Sequence, residues 1–235
     1  MIYTAWFMDL LTLVAFLLIV LLGSYVQAVA GFAMGMIIIA VIGGTQLMDL
    51  PVLAAVASFL SLINVLFAMK GHWQHLSAAI FPWLALGQIP AIFVGVWLLN
   101  VLNSDDRHLL EILLGLFITL GSLSMMLRPQ PIAKVSGPVA CVSAGVVGGL
   151  VGGMFSASGP VMGWFTYRQP LPVSQIRATL LVGFALTTTT RTLVVGAQGG
   201  LTAEVWLYTG MAIPVVLIGT WAGRSFVSTF SEQAM

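Results

Sequence analysis

Two arginines stand inside one apolar segment in the C-terminal third of this 235-residue sequence. Arg177 and Arg191 are 14 residues apart, which on an α-helix rises roughly 21 Å and returns to within about 40° of the same face. Thr187 and Thr188 lie one turn before Arg191. Guanidinium and hydroxyl groups offer hydrogen-bond donors and positive charge, so the pattern predicts an anion site. The alternative is that both arginines lie near helix ends and extend to the membrane surface.

A second candidate lies upstream, where residues 148–160 read Gly-Gly-Leu-Val-Gly-Gly-Met-Phe-Ser-Ala-Ser-Gly-Pro. This run predicts an interrupted helix, and the free N–H groups of the half-helix after it attract anions. A weaker version follows Gln27 in the N-terminal part. Close helix packing is the alternative for the glycines upstream of Gly153. The predicted substrate-binding residues are Gly31, Gly35, Gly153, Ser156, Ser158, Gly159, Arg177, Thr179 and Arg191.

The remaining reactive residues predict no metal site, no cofactor and no enzyme. Cys141 is the only cysteine, and no carboxylate stands at metal-ligand spacing within an apolar span. Residues 156–159 superficially resemble the serine motif of rhomboid proteases, whose catalytic pair needs a histidine on a later membrane helix. All three histidines, His72, His75 and His108, come earlier and in predicted loops.

The amino-acid composition indicates the class of protein in which these residues lie. Only 6% of the chain is charged and 60% is apolar, whereas a soluble domain carries about 25% charged residues. This excludes a soluble enzyme, and the net charge of +1 gives no basic field for nucleic acid. The partner is the lipid bilayer. The N-terminal run has no positive flank and no cleavage site, so we expect a retained first helix.

Long uniform apolar runs predict an all-α polytopic bundle of about seven or eight spans. Pro90 and Pro214 lie inside two of the runs, as flexing points or as fixed kinks. The first run is roughly 50 Å long as a helix, too long for a bilayer, so it tilts, breaks or turns back. The predicted helices are Leu10–Gly43, Leu50–Met69, Leu76–Leu102, Leu109–Leu127, Val135–Phe165, Ile176–Val195 and Val205–Gly223.

An internal repeat relates the two ends of the chain. Ile89-Pro90, Gly95 and Trp97 recur 124 residues later, and Lys70 recurs as Arg191 at a displacement of 121. The predicted single domain has a first half at 10–127, a linker at 128–134 and a second half at 135–235 that lacks its last helix. Lys70 and Asn64 lie on the segment that the repeat relates to the Arg191 segment. For Lys70, we favour a side chain that extends to the membrane surface.

These motifs resemble the TauE/SafE sulfite exporter family of bacterial inner-membrane permeases. The resemblance rests on residues 152–160 followed by Ile-Arg-Ala-Thr-Leu-Leu at 176–181, with residues 31–35 as a weaker first-half version. It implies a multi-pass membrane transporter of small sulfur-containing anions such as sulfite or organosulfonates. The serines at 156 and 158 replace the glycines that are common in the family.

Residues and resemblance together predict alternating access around two breaks that meet near mid-membrane, with Arg177 or Arg191 as countercharge. A non-transporting subunit that keeps the transporter fold, and a channel, are the alternatives. Either the chain is a shortened member or a second copy completes the bundle as a homodimer. Counting one crossing per helix divides the basic residues three against four, so the orientation stays open, as does the choice between parallel and inverted repeats.

Overall fold

The structure, a computed structural model, describes residues 10–45, 48–68, 75–126 and 130–229, and every regular element in these ranges is a helix. No strand occurs in these four ranges. The helices are α1 (Leu10–Ala30), α2 (Met34–Ile38, continued by a π-helical turn at Ile39–Gly43), α3 (Leu50–Ala68), α4 (Phe81–Asp105), α5 (Arg107–Met126), α6 (Pro138–Phe155), α7 (Gly159–Tyr167), α8 (Val173–Ala197) and α9 (Ala203–Thr229).

Seven of these helices are long and apolar enough to cross a bilayer: α1, α3, α4, α5, α6, α8 and α9. Their outer faces expose large apolar side chains, with Leu86 60% and Trp221 72% exposed. Such exposure is costly in water and suits lipid. The all-α membrane bundle predicted from composition is therefore confirmed.

Prolines set two helix starts that differ from prediction. Helices expected from Leu76 and Val135 begin at Phe81 and Pro138, each with a proline in its first turn. Proline favours that position because its missing N–H is not needed there. Pro90 and Pro214 both lie inside their helices, as expected.

Both predicted interruptions are present. Between α1 and α2, Gly31 and Ala33 take positive φ angles of 85° and 104°. After α6, Ser156 takes a φ of 53°. Positive φ is disfavoured for residues with a Cβ and ends right-handed helix, so the chain changes direction at each position. The half-helix predicted to follow Pro160 begins at Gly159 and includes the proline in its first turn.

Each short helix folds back on the helix before it. A Cβ built on Gly23 would lie 3.4 Å from the Cα of Met34, although 11 residues of straight helix would separate them by about 16 Å. A Cβ on Gly148 would lie 2.7 Å from Sδ of Met162, against about 21 Å in a straight helix. We call residues 10–43 hairpin 1 and residues 138–167 hairpin 2.

The long helices form two groups of opposite direction. Gly145, Gly149 and Gly153 of α6 pack successively against Leu84, Gln88 and Ile92, so α4 and α6 run parallel. Gly219 and Gly223 pack in the same way along α1, so α1 and α9 run parallel. Small residues on these faces let the backbones approach closely.

α3 and α8 cross at the centre in opposite directions. Near the middle of α3 Ser58 contacts Arg191. Near the C-terminal end of α3, Val65 and Ala68 pack with Leu181 and Phe184. Because the numbers rise on one helix as they fall on the other, α3 is antiparallel to α8.

α5 lies across both hairpins from outside. Phe117 stacks on Phe155 with ring centroids 5.6 Å apart. A Cβ on Gly121 would lie 2.9 Å from Cγ of Pro160 and 3.6 Å from Sδ of Met36. One helix therefore covers the ends of α6 and α7 and part of α2.

Candidate functional site

Arg191 is buried in the middle of the bundle, with 1% of its surface exposed. Its Nε donates to the carbonyl oxygen of Gly153 at 2.8 Å, and its Nη1 donates to Oγ of Ser58 at 3.0 Å. Its Nη2 has no hydrogen-bond partner in the described chain. The reading of Arg191 as a residue that extends to the membrane surface is wrong, because α3 and α6 enclose the guanidinium.

Ser58 connects Arg191 to the break in hairpin 2. The Ser58 hydroxyl donates to the carbonyl oxygen of Ala54 at 2.9 Å, which uses its single proton. Its oxygen lies 2.9 Å from Oγ of Ser156. Ser156 is therefore the donor in that pair, and Ser58 accepts from both Ser156 and Arg191.

Gln88, Thr187 and Ser158 form the other side of this centre. The amide nitrogen of Gln88 donates to Oγ1 of Thr187 and, at 3.4 Å, to the carbonyl oxygen of Gly183. A Cβ built on Gly152 would lie 2.7 Å from Cγ2 of Thr187 and 3.2 Å from Cβ of Ser158. Oε1 of Gln88 and Oγ of Ser158 are buried without partners among the described residues. We call the set Ser58, Gln88, Ser156, Ser158, Thr187 and Arg191 the polar centre.

The two breaks touch, as predicted. Gly35 packs so closely on the carbonyl oxygen of Ser156 that an added Cβ would overlap it. A Cβ on Gly159 would lie 3.1 Å from Cδ2 of Phe32 and 3.5 Å from the backbone nitrogen of Ala33. The geometry therefore brings Gly35, Gly153, Ser156, Ser158, Gly159 and Arg191 together.

Arg177 belongs to a separate cluster. One of its terminal nitrogens donates to the carbonyl oxygen of Ala28. The Tyr167 hydroxyl donates to the carbonyl oxygen of Ala30 at 3.1 Å. A Cβ on Gly31 would lie 3.3 Å from Cγ of Arg177. Thr179 accepts the backbone N–H of Ser77 at 3.2 Å. Arg177 and Gly31 are thus together, roughly 21 Å along α8 from Arg191.

The two arginines make the same kind of contact. Arg177 donates to the third-last residue of α1 and Arg191 to the third-last residue of α6. The last carbonyls of a helix have no partner within it and carry partial negative charge. α8 therefore caps both interrupted helices, and only Arg191 does so inside the polar centre.

Sequence reasoning missed Ser58 and Gln88 as site residues. An uncharged polar residue in the middle of an apolar run was the available signal, because such groups need a partner in lipid. Lys70 and His72 lie outside the described residues. His108 was expected in a loop but lies in the first turn of α5.

The acids of the described ranges lie away from the polar centre. Asp49, Asp105, Asp106 and Glu204 are exposed and Glu111 is half-buried. No three His, Cys, Asp or Glu side chains within 10–45, 48–68, 75–126 and 130–229 are placed to hold a metal ion. The positive charge of Arg191 therefore meets hydroxyls and carbonyls and no described carboxylate.

Comparison with known proteins gives two matches. The family model "Sulfite exporter TauE/SafE" matches residues 15–235. A protein of Cupriavidus necator named probable sulfite/organosulfonate exporter TauE is 41% identical over 209 residues, which covers 89% of this chain and 82% of that protein. No solved structure matches the chain.

Proposed function

The chain belongs to the sulfite exporter TauE/SafE family, and on that premise we propose that it exports small oxyanions of the sulfite or organosulfonate type by alternating access. It is a multi-pass inner-membrane transporter and not an enzyme, and the family resemblance of its sequence is confirmed. The substrate class comes from the name of the Cupriavidus necator relative. The polar centre is the proposed binding site.

The single observation that carries this proposal is the guanidinium of Arg191. A charge at the bilayer centre costs at least about 2.5 kcal/mol and is normally retained for a ligand, a pathway or a partner. In the described chain the partners are two neutral oxygens, and one nitrogen stays free. An oxyanion satisfies that nitrogen and balances the charge.

We propose further that the predicted halves are inverted repeats. α1 corresponds to α6, α3 to α8 and α4 to α9, and the corresponding helices α3 and α8 run in opposite directions. Hairpin 1 packs on α9 of the other half and hairpin 2 on α4, a reciprocal arrangement. Rocking of inverted halves around a central site is a common route to alternating access.

The helix directions also support an orientation. Ile132 donates to the carbonyl of Arg168 at 2.8 Å, so the α5–α6 connection and the α7–α8 turn share one side, which carries Lys134, Arg168 and Arg224. The other side carries Arg107, paired with Asp49 at 3.6 Å, and Glu204. By the positive-inside rule the first side is cytoplasmic. Labelling of Lys134→Cys from the cytoplasmic side and Glu204→Cys from the outside tests this.

We also propose that two copies of the chain pair as a homodimer. α5 covers both hairpins, and the second half contributes no equivalent helix within the described ranges. The mass of the purified protein in detergent, corrected for bound detergent, tests it: a monomer mass at transport-competent concentrations refutes the homodimer.

The transport proposal is tested with labelled sulfite in sealed vesicles. Arg191→Ala removes a charged donor whose hydrogen bonds are each worth about 1.5–3 kcal/mol, so we expect sulfite transport to fall at least tenfold. Arg191→Lys keeps the charge and loses the fork of donors, and retains an intermediate rate. Unchanged transport by Arg191→Ala removes Arg191 from the mechanism.

Arg107→Ala is the matched control, since Arg107 is more than half exposed and pairs only at the surface. We expect it to transport like the unmodified protein. Sulfite also raises the unfolding temperature of a binding-competent transporter. A chain with neither sulfite transport nor sulfite-dependent stabilisation is the non-transporting subunit.

A further inference from the structure

Three buried atoms of the polar centre have no partner in the described chain: Nη2 of Arg191, Oγ of Ser158 and Oε1 of Gln88. They differ in kind. The guanidinium nitrogen only donates, the hydroxyl donates or accepts, and the amide oxygen only accepts. Buried polar groups without a protein partner call for an explanation, and a bound ion is one such explanation.

The orientation of the Gln88 amide follows from its neighbour. Thr187 donates its only hydroxyl proton to the carbonyl oxygen of Gly183 at 2.9 Å. Its oxygen is therefore an acceptor, and the Gln88 group that contacts it must be the NH₂. Oε1 is consequently the free end of a side chain that is fully buried.

The polar centre thus carries one positive charge, free donors and one free acceptor. A dianion exceeds that charge by one and places a lone pair against Oε1 of Gln88. An anion of charge −1 with one acidic hydrogen matches all three free atoms. In such an anion the oxygens can accept from Arg191 and Ser158, and the hydrogen can be donated to Gln88.

Resting on the proposed function, we infer that the species carried is the hydrogen-bearing monoanion, hydrogen sulfite and not the sulfite dianion, and that Gln88 recognises its hydrogen. Gln88 is thereby a specificity-determining residue of the anion site. A sulfonate such as methanesulfonate also has charge −1 but has no hydrogen for Gln88. The site is expected to accept it without that hydrogen bond.

Gln88→Met tests the inference because it removes Oε1 and keeps the length of the side chain. It also removes the NH₂ group that donates to Thr187 and Gly183, an effect that is common to both anions and cancels in the preference between them. Transport of labelled sulfite and labelled methanesulfonate is measured in the same vesicles at mildly acidic pH, where hydrogen sulfite predominates. One neutral hydrogen bond is worth a few-fold to about tenfold in affinity. We expect the preference for sulfite over methanesulfonate to fall by about that factor.

Methanesulfonate transport reports whether the variant is folded and active. Asn100→Met, an exposed position on the same helix, is the matched control and keeps the preference of the unmodified protein. An unchanged preference in Gln88→Met overturns the inference. If the unmodified protein transports neither sulfite nor methanesulfonate, the proposed function is overturned instead.

A measurement without mutation gives a second test. Hydrogen sulfite loses its proton near neutral pH, so total sulfite should inhibit methanesulfonate transport less strongly in mildly alkaline than in mildly acidic buffer. Stronger inhibition in alkaline buffer overturns the inference. The other titratable groups of the described parts of α3, α4, α5, α6 and α8 lie at helix ends or several turns from Gln88: Asp105, Arg107, His108, Glu111, Cys141 and Arg177.

Discussion

Gly153 offers the sharpest test of how α4 and α6 hold the polar centre. It lies where α6 crosses α4, and a Cβ added there would be 2.5 Å from the carbonyl oxygen of Ile92. Ordinary contact begins at 3.4 Å, so Gly153→Ala forces the two backbones apart by about 0.9 Å. The obstacle is backbone on a neighbouring helix, which no side-chain rotation relieves.

The cost follows from that overlap. Inserting a methyl group into a tightly packed core typically costs about 1–3 kcal/mol. Replacing glycine by alanine inside a helix raises the free energy of unfolding by up to about 1 kcal/mol. Gly115→Ala in α5 is the matched control, because nothing lies within 4 Å of its added Cβ. The propensity gain cancels between the two variants, so Gly153→Ala should be less stable than Gly115→Ala by about 1–3 kcal/mol.

The functional effect should follow from the same shift. Nε of Arg191 donates to the carbonyl of Gly153, so a displaced α6 moves that acceptor and with it Nη2, the nitrogen proposed to bind the anion. Thermal unfolding in detergent and the KM for sulfite are measured side by side. If Gly153→Ala is as stable as Gly115→Ala and has the same KM, the close crossing of α4 and α6 does not hold the site.

Three further outcomes are expected. Ser58→Ala leaves Nη1 of Arg191 without an acceptor, so stability falls by about 1–3 kcal/mol and the KM for sulfite rises; unfolding and transport assays measure both. Tyr167→Phe removes the donor to the last carbonyl of α1 and costs about 1 kcal/mol in thermal unfolding, with KM unchanged because Tyr167 is outside the polar centre. Gly31→Ala places a Cβ at a φ of 85° and lowers stability by about 1–2 kcal/mol, whereas an unaffected unfolding temperature would contradict the observed break.

Local chemistry allowed the interrupted helices to be predicted from sequence. Glycine, proline and serine each weaken a helix, and their clustering near Gly31 and in residues 156–160 predicted the breaks. Single prolines were not enough, since Pro90 and Pro214 lie inside continuous helices. The burial of Arg191 was different, because the same apolar run suits an arginine that reaches the surface. Enclosure by α3 and α6 decided between the two.

The partners of the polar centre depend on packing between distant segments. Ser58 meets Ser156 across 98 residues and Gln88 meets Thr187 across 99, so no local pattern connects them. The side of the membrane on which each loop lies could not be predicted for a similar reason. A count of one crossing per helix ignores the two reversals, and only the contacts of the hairpins show which loops share a side.

The solitary charge of Arg191 has a consequence for the energetics of export. Arg191 is part of the protein, and no described carboxylate lies in the core to carry a proton along with the anion. Transport of one monoanion therefore moves one negative charge across the bilayer. A potential of 100 mV, negative inside, contributes about 2.3 kcal/mol to moving one such charge outward. That corresponds to roughly a fortyfold concentration ratio. On the proposed function, export of a monoanion through this centre is electrogenic and is favoured by that potential.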